Sequence, residues 1–310
     1  MRIVVILDPI ETLKPYKDTT LAIMREAAIR GHQLFVALQS DLFLRQEKVR
    51  LRAQLFEFSD EVRWYQLGQS AEYAPQDFDV VLMRKDPPFD NEFLYSTYLL
   101  DLAVQQGARV LNNPASVRDW NEKLSVANFP QFAPEFLVTR DNDLIREFLR
   151  SHGDIVVKPL DGMGGASIFR LTQLDPNISV ILETITDYGK RTVMAQRYLP
   201  QILQGDKRII VIDGAPVPYA LARIPMAGET RGNLAAGGTG VAQLLTERDV
   251  EIATTVGKAL KQKGLFLVGL DVIGEHLTEI NVTSPTGIVE IAAQTDCKPA
   301  SLFMDALEAA

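Results

Sequence analysis

Short apolar runs and longer amphipathic stretches alternate along the first 120 residues. The apolar runs predict strands at 2–7, 33–38, 79–83 and 109–111. The amphipathic stretches predict one helix from residue 18 or 19 to about residue 30 and another over 92–106, with Gly31 and Gly107 as their C-terminal stops. This alternation of strands and helices predicts a parallel sheet with helices on both faces.

After residue 120 the pattern changes. Residues 121–200 predict a small α+β unit, with helices at 141–151 and 177–187 and strands at 154–158, 167–171 and 191–197. We interpret Leu199-Pro200 as a hinge. Beyond it the pattern predicts strands at 207–213, 216–223, 265–273 and 276–281 and helices at 246–263, 286–294 and 300–308. We therefore predict three domains, at 1–120, 121–200 and 201–310.

The composition narrows the class of protein. The 310 residues are 46% hydrophobic and carry a net charge of −8, whereas nucleic-acid binders usually carry a basic surplus. The apolar runs are too short to span a bilayer, and the first is too short for a secretory signal. One cysteine, Cys297, excludes an internal disulfide, and three histidines argue against a histidine-rich metal site. We expect a cytoplasmic enzyme without a nucleic-acid or membrane partner.

A lysine and a glycine-rich turn follow the β-branched run at 154–157. Lys158 ends that run, and Gly162, Gly164 and Gly165 come next. Backbone N–H groups in such a turn can approach phosphate oxygens closely, and the ammonium adds positive charge. A simple hairpin turn is the alternative, but it needs only two residues. Three glycines in four residues favour a polyphosphate site.

Two carboxylates and an amide lie on predicted strands near the end of the chain. Asp271 ends an apolar run, and Glu279 and Asn281 point to one face of their strand because side chains at i and i+2 do so. Mg2+ takes hard oxygen ligands and shares itself with substrate phosphates. The alternative is a set of ordinary polar residues at a sheet edge. Beside the glycine-rich turn, the set favours metal-dependent ATP chemistry.

A long segment at 225–240 separates two predicted elements. Five of its sixteen residues are glycine. Loops of this length are uncommon inside compact domains, and they are usually functional lids or disordered segments. Both interpretations remain open from the residues alone.

The order of these features resembles that of the ATP-grasp carboxylate–amine ligases and, within them, the bacterial glutathione synthetase family. The resemblance lies in segments spread over nearly the whole chain in the family's order, and several of them are uninterrupted runs of eight or more matching residues. The segments are 83–90, 121–124, 158–167, 223–225, 228–238, 269–271 and 277–286. The resemblance implies an ATP-grasp fold with an N-terminal doubly wound α/β domain, a small α+β lid domain and a C-terminal α+β domain.

The resemblance also implies a reaction. ATP, γ-glutamylcysteine and glycine would give glutathione, ADP and phosphate through an acyl phosphate. The metal would be Mg2+ or Mn2+, which the residues do not distinguish. Members of the family tend to form homo-oligomers, so the resemblance implies a dimer or a tetramer.

Roles for individual residues follow from the same resemblance. Gln196, Tyr198 and Leu199 would bind adenine, and Asp206 would reach the ribose. The phosphates would be bound by Lys123, Lys158, Gly162, Gly164 and Gly165, and the metal by Asp271, Glu279 and Asn281.

Three arginines are the expected catalytic residues. Arg208 and Arg223 lie on neighbouring predicted strands, and a planar guanidinium suits a transferred phosphoryl group better than an ammonium. Arg231 would close the site with the lid, because an acyl phosphate hydrolyses in water. Surface ion pairing is the alternative for Arg208, and an incidental arginine in a disordered loop is the alternative for Arg231.

The acid substrate is expected near the end of the strand at 79–83, because open α/β sheets bind ligands at the carboxyl ends of their strands. The expected substrate-binding residues are Asp18, Arg84, Asp86, Asn233, Thr283, Ser284, Pro285 and Thr286. The last four could also be the N-terminal cap of a helix, and the two roles are compatible.

Two other functions remain open. The phosphate and metal motifs also fit an ATP-grasp ligase that makes another dipeptide or adds glutamate to a protein tail. A nucleotide-binding regulator on the same fold is a second alternative, because a fold does not fix a function. A regulator would be expected to lack a metal ligand or one of the three arginines. This chain keeps all of these residues, namely Asp271, Glu279, Asn281, Arg208, Arg223 and Arg231.

Overall fold

The computed structural model describes residues 1–60, 63–162, 164–226, 232 and 237–310. These residues form three β-sheets with helices packed against them. The strands are β1 (Arg2–Leu7), β2 (Gln33–Leu38), β3 (Leu42–Arg45), β4 (Lys48–Phe58), β5 (Tyr65–Leu67), β6 (Ala71–Tyr73), β7 (Val80–Met83), β8 (Val110–Leu111), β9 (Phe136–Thr139), β10 (Asp154–Pro159), β11 (Phe169–Thr172), β12 (Val193–Arg197), β13 (Asp206–Ile212), β14 (Ala215–Ile224), β15 (Thr239–Leu244), β16 (Leu267–Ile273) and β17 (His276–Asn281). The helices are α1 (Thr19–Ile29), α2 (Asn91–Gln105), α3 (Pro114–Asp119), α4 (Asn142–His152), α5 (Ile178–Ile185), α6 (Glu247–Gln262), α7 (Ile288–Gln294) and α8 (Pro299–Ala309).

The N-terminal sheet has a parallel centre and an antiparallel edge. Its strand order is β3-β4-β2-β1-β7-β8, and β1 runs parallel to both β2 and β7. The predicted parallel pairing is confirmed for β1, β2 and β7, and for β8, which pairs with β7 in parallel. The antiparallel strand β4 extends the sheet beyond β2 and carries β3, β5 and β6.

The basic run at 45–52 forms much of this unpredicted edge. Val49 and Leu51 are buried, whereas Arg50 and Arg52 point outward. Such a period of two is typical of a strand with one buried face. The sequence leaves a solvated surface loop or a strand open for this run. The structure forms a strand over 48–52, joined to β3 by a turn at 46–47, and the predicted parallel sheet did not include it.

Helix α1 begins and ends where the sequence predicts. The side chain of Asp18 accepts a hydrogen bond from the Leu21 N–H, which satisfies one of the free donors at the helix start. Gly31 follows the last turn with a φ of +78°, a conformation that favours glycine. The cap places Asp18 directly after the loop that follows β1.

The small sheet consists of four antiparallel strands in the order β11-β10-β12-β9. It has a hydrophobic core of its own, in which Ile145 and Leu149 of α4 and Leu182 of α5 pack on Ile155 and Val193. Strand β9 was not predicted from the sequence. A short 3-10 helix, Pro200–Gln204, lies at the predicted hinge.

The C-terminal sheet has the order β15-β14-β13-β16-β17, and all of its neighbouring strands are antiparallel. Strand β15 was not predicted from the sequence. One hydrophobic core joins this sheet to the N-terminal one, with Val4 and Val81 in the same cluster as Ile209 and Leu270. The domain boundaries at residues 120 and 200 remain predictions. Every helix of the described residues is too short or too polar to cross a bilayer.

Candidate active site

A cavity of about 650 Å³ is lined by residues of the small and C-terminal sheets and by loops that follow strands of the N-terminal sheet. The C-terminal sheet supplies Arg208, Arg223 and Asp271, and the small sheet supplies Lys158 and Gln196. The loops beyond β1 and β7 supply Asp8, Lys14, Lys17, Asp18 and Asp86. Its size suits a nucleotide-sized ligand together with a smaller one.

Strand register brings together four charged side chains on one wall of this cavity. Asp206 lies opposite Arg223 in the pairing of β13 with β14, and Arg208 lies opposite Asp271 in the pairing of β13 with β16. Asp206 and Arg208 share a face of β13, because they are two residues apart. We call Asp206, Arg208, Arg223 and Asp271 the arginine–carboxylate cluster.

The cluster is closely paired. Arg208 donates from Nε to Oδ1 of Asp271 at 2.5 Å and from Nη2 to Oδ2 at 3.1 Å. Nη2 of Arg223 lies 2.5 Å from Oδ2 of Asp206 and 2.8 Å from Oδ2 of Asp271. All four side chains are buried or nearly so. Surface ion pairing, the alternative for Arg208, is therefore wrong.

Burial and ion pairing shift the pKa values of the cluster residues in different directions. Burial raises the pKa of Asp206 to about 6, although Arg223 opposes the rise. Burial alone would also raise the pKa of Asp271, but Arg208 and Arg223 hold it well below its usual range. Burial alone would lower the pKa of Arg223, yet Asp206 and Asp271 raise it. At neutral pH both carboxylates are therefore mainly ionised and balance the two guanidinium groups, while the raised pKa makes Asp206 the carboxylate that is more easily protonated.

Several buried polar atoms of the cavity lack a hydrogen-bond partner among the described residues. They include Oδ1 of Asp206, Nε of Arg223, Nε2 of Gln196 and Oε2 of Glu290. Buried polar groups in folded proteins are normally hydrogen-bonded. These atoms are therefore available to a polar ligand.

Two buried lysines extend the positive side of the cavity. Lys158 Nζ donates to Oε1 of Gln196 at 3.3 Å and to the carbonyl of Thr278 at 3.2 Å. Burial lowers the pKa of Lys158. Lys123 Nζ donates to the carbonyl of Gly162 at 2.5 Å and to Oε1 of Glu279 at 3.1 Å. An anion bound here would compensate for the burial of both ammonium groups.

The glycine-rich turn lies over the same space. Gly164 and Gly165 have φ angles of +63° and +80°, which side-chain-bearing residues rarely adopt. A Cβ atom on Gly162 would lie 2.7 Å from Cγ of Pro159. The turn therefore requires glycine at these three predicted positions, and all three line the cavity.

The three predicted metal ligands share one wall of the cavity. Asp271 pairs with Glu279 across β16 and β17, and Asn281 follows on the same strand. Asn281 donates from Nδ2 to the carbonyl of Gly269, which leaves its amide oxygen available. The described residues contain no group of three or more His, Cys, Asp or Glu side chains that could hold a metal ion. Two carboxylates and an amide oxygen nevertheless fit a Mg2+ ion whose other ligands are phosphates and water.

The predicted adenine-binding residues lie on β12 of the small sheet and directly after it. Gln196, Tyr198 and Leu199 line the cavity beside apolar side chains such as Val156 and Ile202. The guanidinium of Arg170 lies 3.8 Å from the centre of the Tyr198 ring. This apolar end with few polar groups suits a flat heteroaromatic ring.

A second polar region lies on the loops after β1 and β7 and on the segment after β17, and three of its four residues line the cavity. We call Asp8, Lys85, Asp86 and Ser284 the N-terminal rim. Lys85 Nζ lies 2.8 Å from Oδ1 of Asp8, and Oδ2 of Asp8 accepts the Asp86 N–H at 2.8 Å. The hydroxyl of Ser284 donates to Oδ1 of Asp86 at 2.5 Å. The rim thus joins two strand-end loops to the segment after β17.

The structure brings most of the predicted site residues together. Those lining the cavity are Asp18, Asp86, Lys123, Lys158, Gly162, Gly164, Gly165, Gln196, Tyr198, Leu199, Asp206, Arg208, Arg223, Asp271, Glu279, Asn281, Thr283, Ser284, Pro285 and Thr286. Arg231 and Asn233 lie outside the described residues.

Arg84 lies behind the cavity wall rather than in it. Its Nε donates to Oγ1 of Thr20 at 3.1 Å and its Nη2 to the carbonyl of Pro285 at 3.0 Å. Burial lowers its pKa to about 10, although Asp86 and Asp18 oppose the fall. Its contacts are with the protein wall, so it supports residues that face the cavity.

Sequence reasoning missed several lining residues. Asp8 directly follows β1, so the strand-end rule that selected Asp86 would have found it. Glu122 stands next to Lys123, but nothing in its local sequence distinguishes it from a surface carboxylate. Lys14, Lys17 and Glu290 gave no signal of their own.

Comparison with known proteins places the whole chain in one family. Residues 1–118 match the family model for the N-terminal domain of prokaryotic glutathione synthetase, and residues 122–296 match the model for its ATP-grasp domain. The glutathione synthetase of Nitrosomonas europaea is 57% identical over 312 residues, covering 99% of this chain and 98% of that protein. The glutathione synthetase of Pseudomonas aeruginosa is 54% identical over 310 residues, covering 100% and 98%.

Solved structures with the same fold are more distant in sequence. D-cycloserine synthetase DcsG is 16% identical with a TM-score of 0.68, over 98% of each chain. The ATP-grasp ligase PsnB, in a complex with minimal precursor, Mg and ADP, is 18% identical with a TM-score of 0.63, over 99% of this chain and 97% of PsnB. At such identities the similarity concerns the fold, which is that of the ATP-grasp ligases.

Proposed function

The chain belongs to the prokaryotic glutathione synthetase family and is an ATP-dependent ligase, and we propose that its central cavity joins γ-glutamylcysteine to glycine with the residue roles given below. The observation that carries the proposal is the arginine–carboxylate cluster, which strand register fixes within the same cavity as Lys158 and the glycine-rich turn. An ATP-driven ligation needs cationic groups around a transferred phosphoryl group and a second pocket for the acid.

In the first step the cysteinyl carboxylate of the dipeptide attacks the γ-phosphorus of ATP. A bond forms between a carboxylate oxygen and phosphorus, the bond from phosphorus to the ADP oxygen breaks, and ADP leaves. Arg208 and Arg223 neutralise the anions that this step brings together, and Nε of Arg223 has no other partner among the described residues. Phosphoryl transfer depends mainly on such positioning and charge neutralisation.

In the second step the glycine amine attacks the carbonyl carbon of the acyl phosphate. The carbon–nitrogen bond forms and the carbon–oxygen bond to phosphate breaks. Of the three protons on the glycine ammonium, one stays on the amide, one leaves with the phosphate and one passes to solvent. The same two guanidinium groups stabilise the departing phosphate. The predicted role of Arg231 in closing the site and that of Asn233 in binding substrate stay predictions.

The family uses ATP with a divalent metal, and we propose that Asp271, Glu279 and Asn281 hold Mg2+, with Mn2+ as a substitute. When bound, the ion would neutralise part of the negative charge on the phosphates and polarise the γ-phosphoryl group. Lys123 keeps Glu279 in place from the other side, at 3.1 Å. Asp271 already contacts Arg208 and Arg223. We therefore expect the Glu279 side chain to change its position more readily than that of Asp271 when the ion binds.

We assign the nucleotide to the end of the cavity formed by the small sheet. Gln196, Tyr198 and Leu199 would hold adenine, with the free Nε2 of Gln196 available to the base. Lys123, Lys158 and the glycine-rich turn would hold the phosphates. Asp206 would reach the ribose through Oδ1, the oxygen that Arg223 does not occupy.

We assign the dipeptide to the N-terminal rim and the segment from Thr283 to Thr286. Asp18 and Asp86 are acceptors for an ammonium group, and Ser284 is held by Asp86. Arg84 takes a supporting role in this proposal, because it does not line the cavity and its Nε and Nη2 donate to Thr20 and Pro285, while its buried Nη1 has no partner among the described residues. A homo-oligomer and a cytoplasmic location remain predictions from the resemblance and the sequence.

The proposal is tested by measuring ADP release with Mg-ATP, γ-glutamylcysteine and glycine, and by omitting each component in turn. We expect ADP to form only when both substrates are present and glutathione to appear in equal amount. Slow ADP release that does not depend on dipeptide or glycine would contradict these substrates and would point to another acid and amine.

A further inference from the structure

The segment from Val282 to Thr286 is held almost entirely by distant parts of the chain. Asn112 donates to the carbonyl of Val282 at 2.8 Å, Arg84 to that of Pro285 at 3.0 Å, and Arg208 to that of Thr286 at 3.3 Å. The segment has no regular secondary structure of its own. Its conformation therefore depends on these partners.

Glu122 makes the densest set of these contacts. Its Oε1 accepts the hydroxyl of Thr283 at 2.9 Å, the Val282 N–H at 3.2 Å and the Thr283 N–H at 3.4 Å. Its backbone carbonyl accepts the Ile280 N–H at 2.8 Å. One carboxylate oxygen thus fixes two consecutive backbone amides and a side chain at the end of β17.

We propose that Glu122 is a positioning residue that acts through Thr283 and sets the conformation of residues 283–286 for the acid substrate. The inference rests on the proposed assignment of this segment to γ-glutamylcysteine. Hydrogen bonds to a carboxylate are stronger than those between neutral groups. Without the carboxylate, two backbone N–H groups in a buried region lose their acceptor, so the turn would relax to find another.

The neighbouring residue explains why the effect should be confined to one substrate. Lys123 contacts Gly162 and Glu279, which belong to the nucleotide and metal side of the cavity. Glu122 contacts Val282 and Thr283, on the acid side. Adjacent residues of one short segment therefore make their side-chain hydrogen bonds to opposite halves of the cavity.

Two variants and a matched control separate positioning from general damage. Glu122→Gln keeps an acceptor oxygen in nearly the same shape, whereas Glu122→Ala removes it. Glu72→Gln is the control, because Glu72 pairs with Arg45 on the N-terminal sheet and does not line the cavity. The conservative variant should retain most of the function that the alanine variant loses.

The first measurement is amide hydrogen exchange at Val282 and Thr283, which does not depend on activity. We expect exchange at these two amides to be at least about tenfold faster in Glu122→Ala, which corresponds to about 1.4 kcal/mol of lost protection. Glu122→Gln should show a smaller increase and Glu72→Gln none. Unchanged protection in Glu122→Ala would overturn the inference, whatever the substrates of the enzyme are.

The second measurement compares the KM values of the two substrates. In Glu122→Ala we expect KM for γ-glutamylcysteine to rise about tenfold, whereas KM for ATP stays within about twofold of wild type. An equal rise in both KM values, or faster amide exchange with an unchanged dipeptide KM, would overturn the inference. If wild-type protein formed no glutathione from these substrates, the proposed function would fail, but the exchange measurement would still decide the contact.

A double-mutant cycle tests whether Glu122 acts through Thr283. Thr283→Val removes the hydroxyl and keeps the shape of the side chain. Thr283→Val leaves both backbone amides bonded to Glu122, so adding Glu122→Ala should still raise the dipeptide KM, but by less than the same change does in wild type, because the hydroxyl bond is already absent. Effects that multiply fully would show that the Thr283 hydroxyl carries none of the positioning and would contradict a role through that side chain.

Discussion

The arginine–carboxylate cluster and the N-terminal rim face the same cavity but are built differently. The cluster lies on three hydrogen-bonded strands, and the register of β13 with β14 and β16 fixes each pair of side chains. The rim lies on loops after β1, β7 and β17, and Asp8, Lys85 and Asp86 are all more exposed than the cluster. Strand register cannot shift gradually, whereas loops vary readily in sequence and length. In the proposed function the cluster therefore acts on the phosphoryl group, while the rim selects the acid.

Arg223→Met should have the largest effect, because it breaks the cluster. It removes a cation beside the transferred phosphoryl group and leaves Asp206 and Asp271 with less compensation. We expect kcat to fall by about 10²- to 10³-fold and the free energy of unfolding to fall by about 3–5 kcal/mol. Glutathione formation and denaturant unfolding measure the two effects.

The control for that change is Arg45→Met, since Arg45 is an exposed arginine paired with Glu72. This variant should stay within about 1 kcal/mol of wild type in stability and keep its kcat. An Arg223→Met enzyme with normal kcat and a raised dipeptide KM would reverse the roles assigned to cluster and rim.

Glu279→Gln should have the next largest effect, because Glu279 is a proposed metal ligand and pairs across the sheet with Asp271 of the cluster. It removes a charged ligand, so we expect the Mg2+ concentration for half-maximal turnover to rise at least about tenfold. Saturating Mg2+ should restore part of the activity. Titration of turnover with Mg2+ measures this, and Glu135→Gln, at a surface carboxylate that pairs with Arg197, is the control. Unchanged turnover at limiting Mg2+ would contradict the ligand assignment.

Ser284→Ala should have a smaller and different effect, because it acts at the rim. It removes the hydroxyl that donates to Asp86 and leaves one carboxylate oxygen without that donor. We expect KM for γ-glutamylcysteine to rise about five- to tenfold, for a loss of about 1 kcal/mol, with little change in kcat. Initial rates at varied dipeptide and at varied ATP separate the two KM values, and a fall in kcat alone would remove Ser284 from substrate binding.

Asp206 should affect stability rather than turnover, through a dependence of stability on pH. Burial raises its pKa from 3.8 to about 6 in the folded state. Folding therefore favours the protonated form, and the stability that this contributes is present below about pH 4 and lost as the pH rises through about 6. The melting temperature of wild type, minus that of Asp206→Asn, should fall between about pH 4 and pH 7. A difference that rises with pH would show that Arg223 outweighs burial.

The sequence predicted the cluster better than the rim, and the reason is periodicity. Arg208, Arg223, Asp271 and Glu279 lie on apolar strands, where a period of two and the order of strands determine which side chains meet. Positions that require glycine, such as Gly162, are also evident from local sequence. Both kinds of signal are contained in a few neighbouring residues.

The contacts that the sequence did not predict join distant segments. Glu122 meets Thr283 across 161 positions, and Arg84 meets Pro285 across 201. Neither residue carries a local sign of its partner, so Arg84 was assigned to substrate although it lies behind the wall. For the basic run at the start of β4 the sequence left a surface loop or a strand open, because its charged residues interrupt the apolar run that marks a buried strand.

Oxygen transfer from the acid to phosphate tests the central claim most directly. γ-Glutamylcysteine with 18O in its cysteinyl carboxylate would be converted with Mg-ATP and glycine, and the phosphate released would be analysed by mass. If the carboxylate attacks the γ-phosphorus within this cavity, each phosphate released should carry one 18O atom. One such phosphate should form for each glutathione. Phosphate without the label, formed in equal amount with glutathione, would contradict the acyl phosphate and the roles assigned to Arg208 and Arg223.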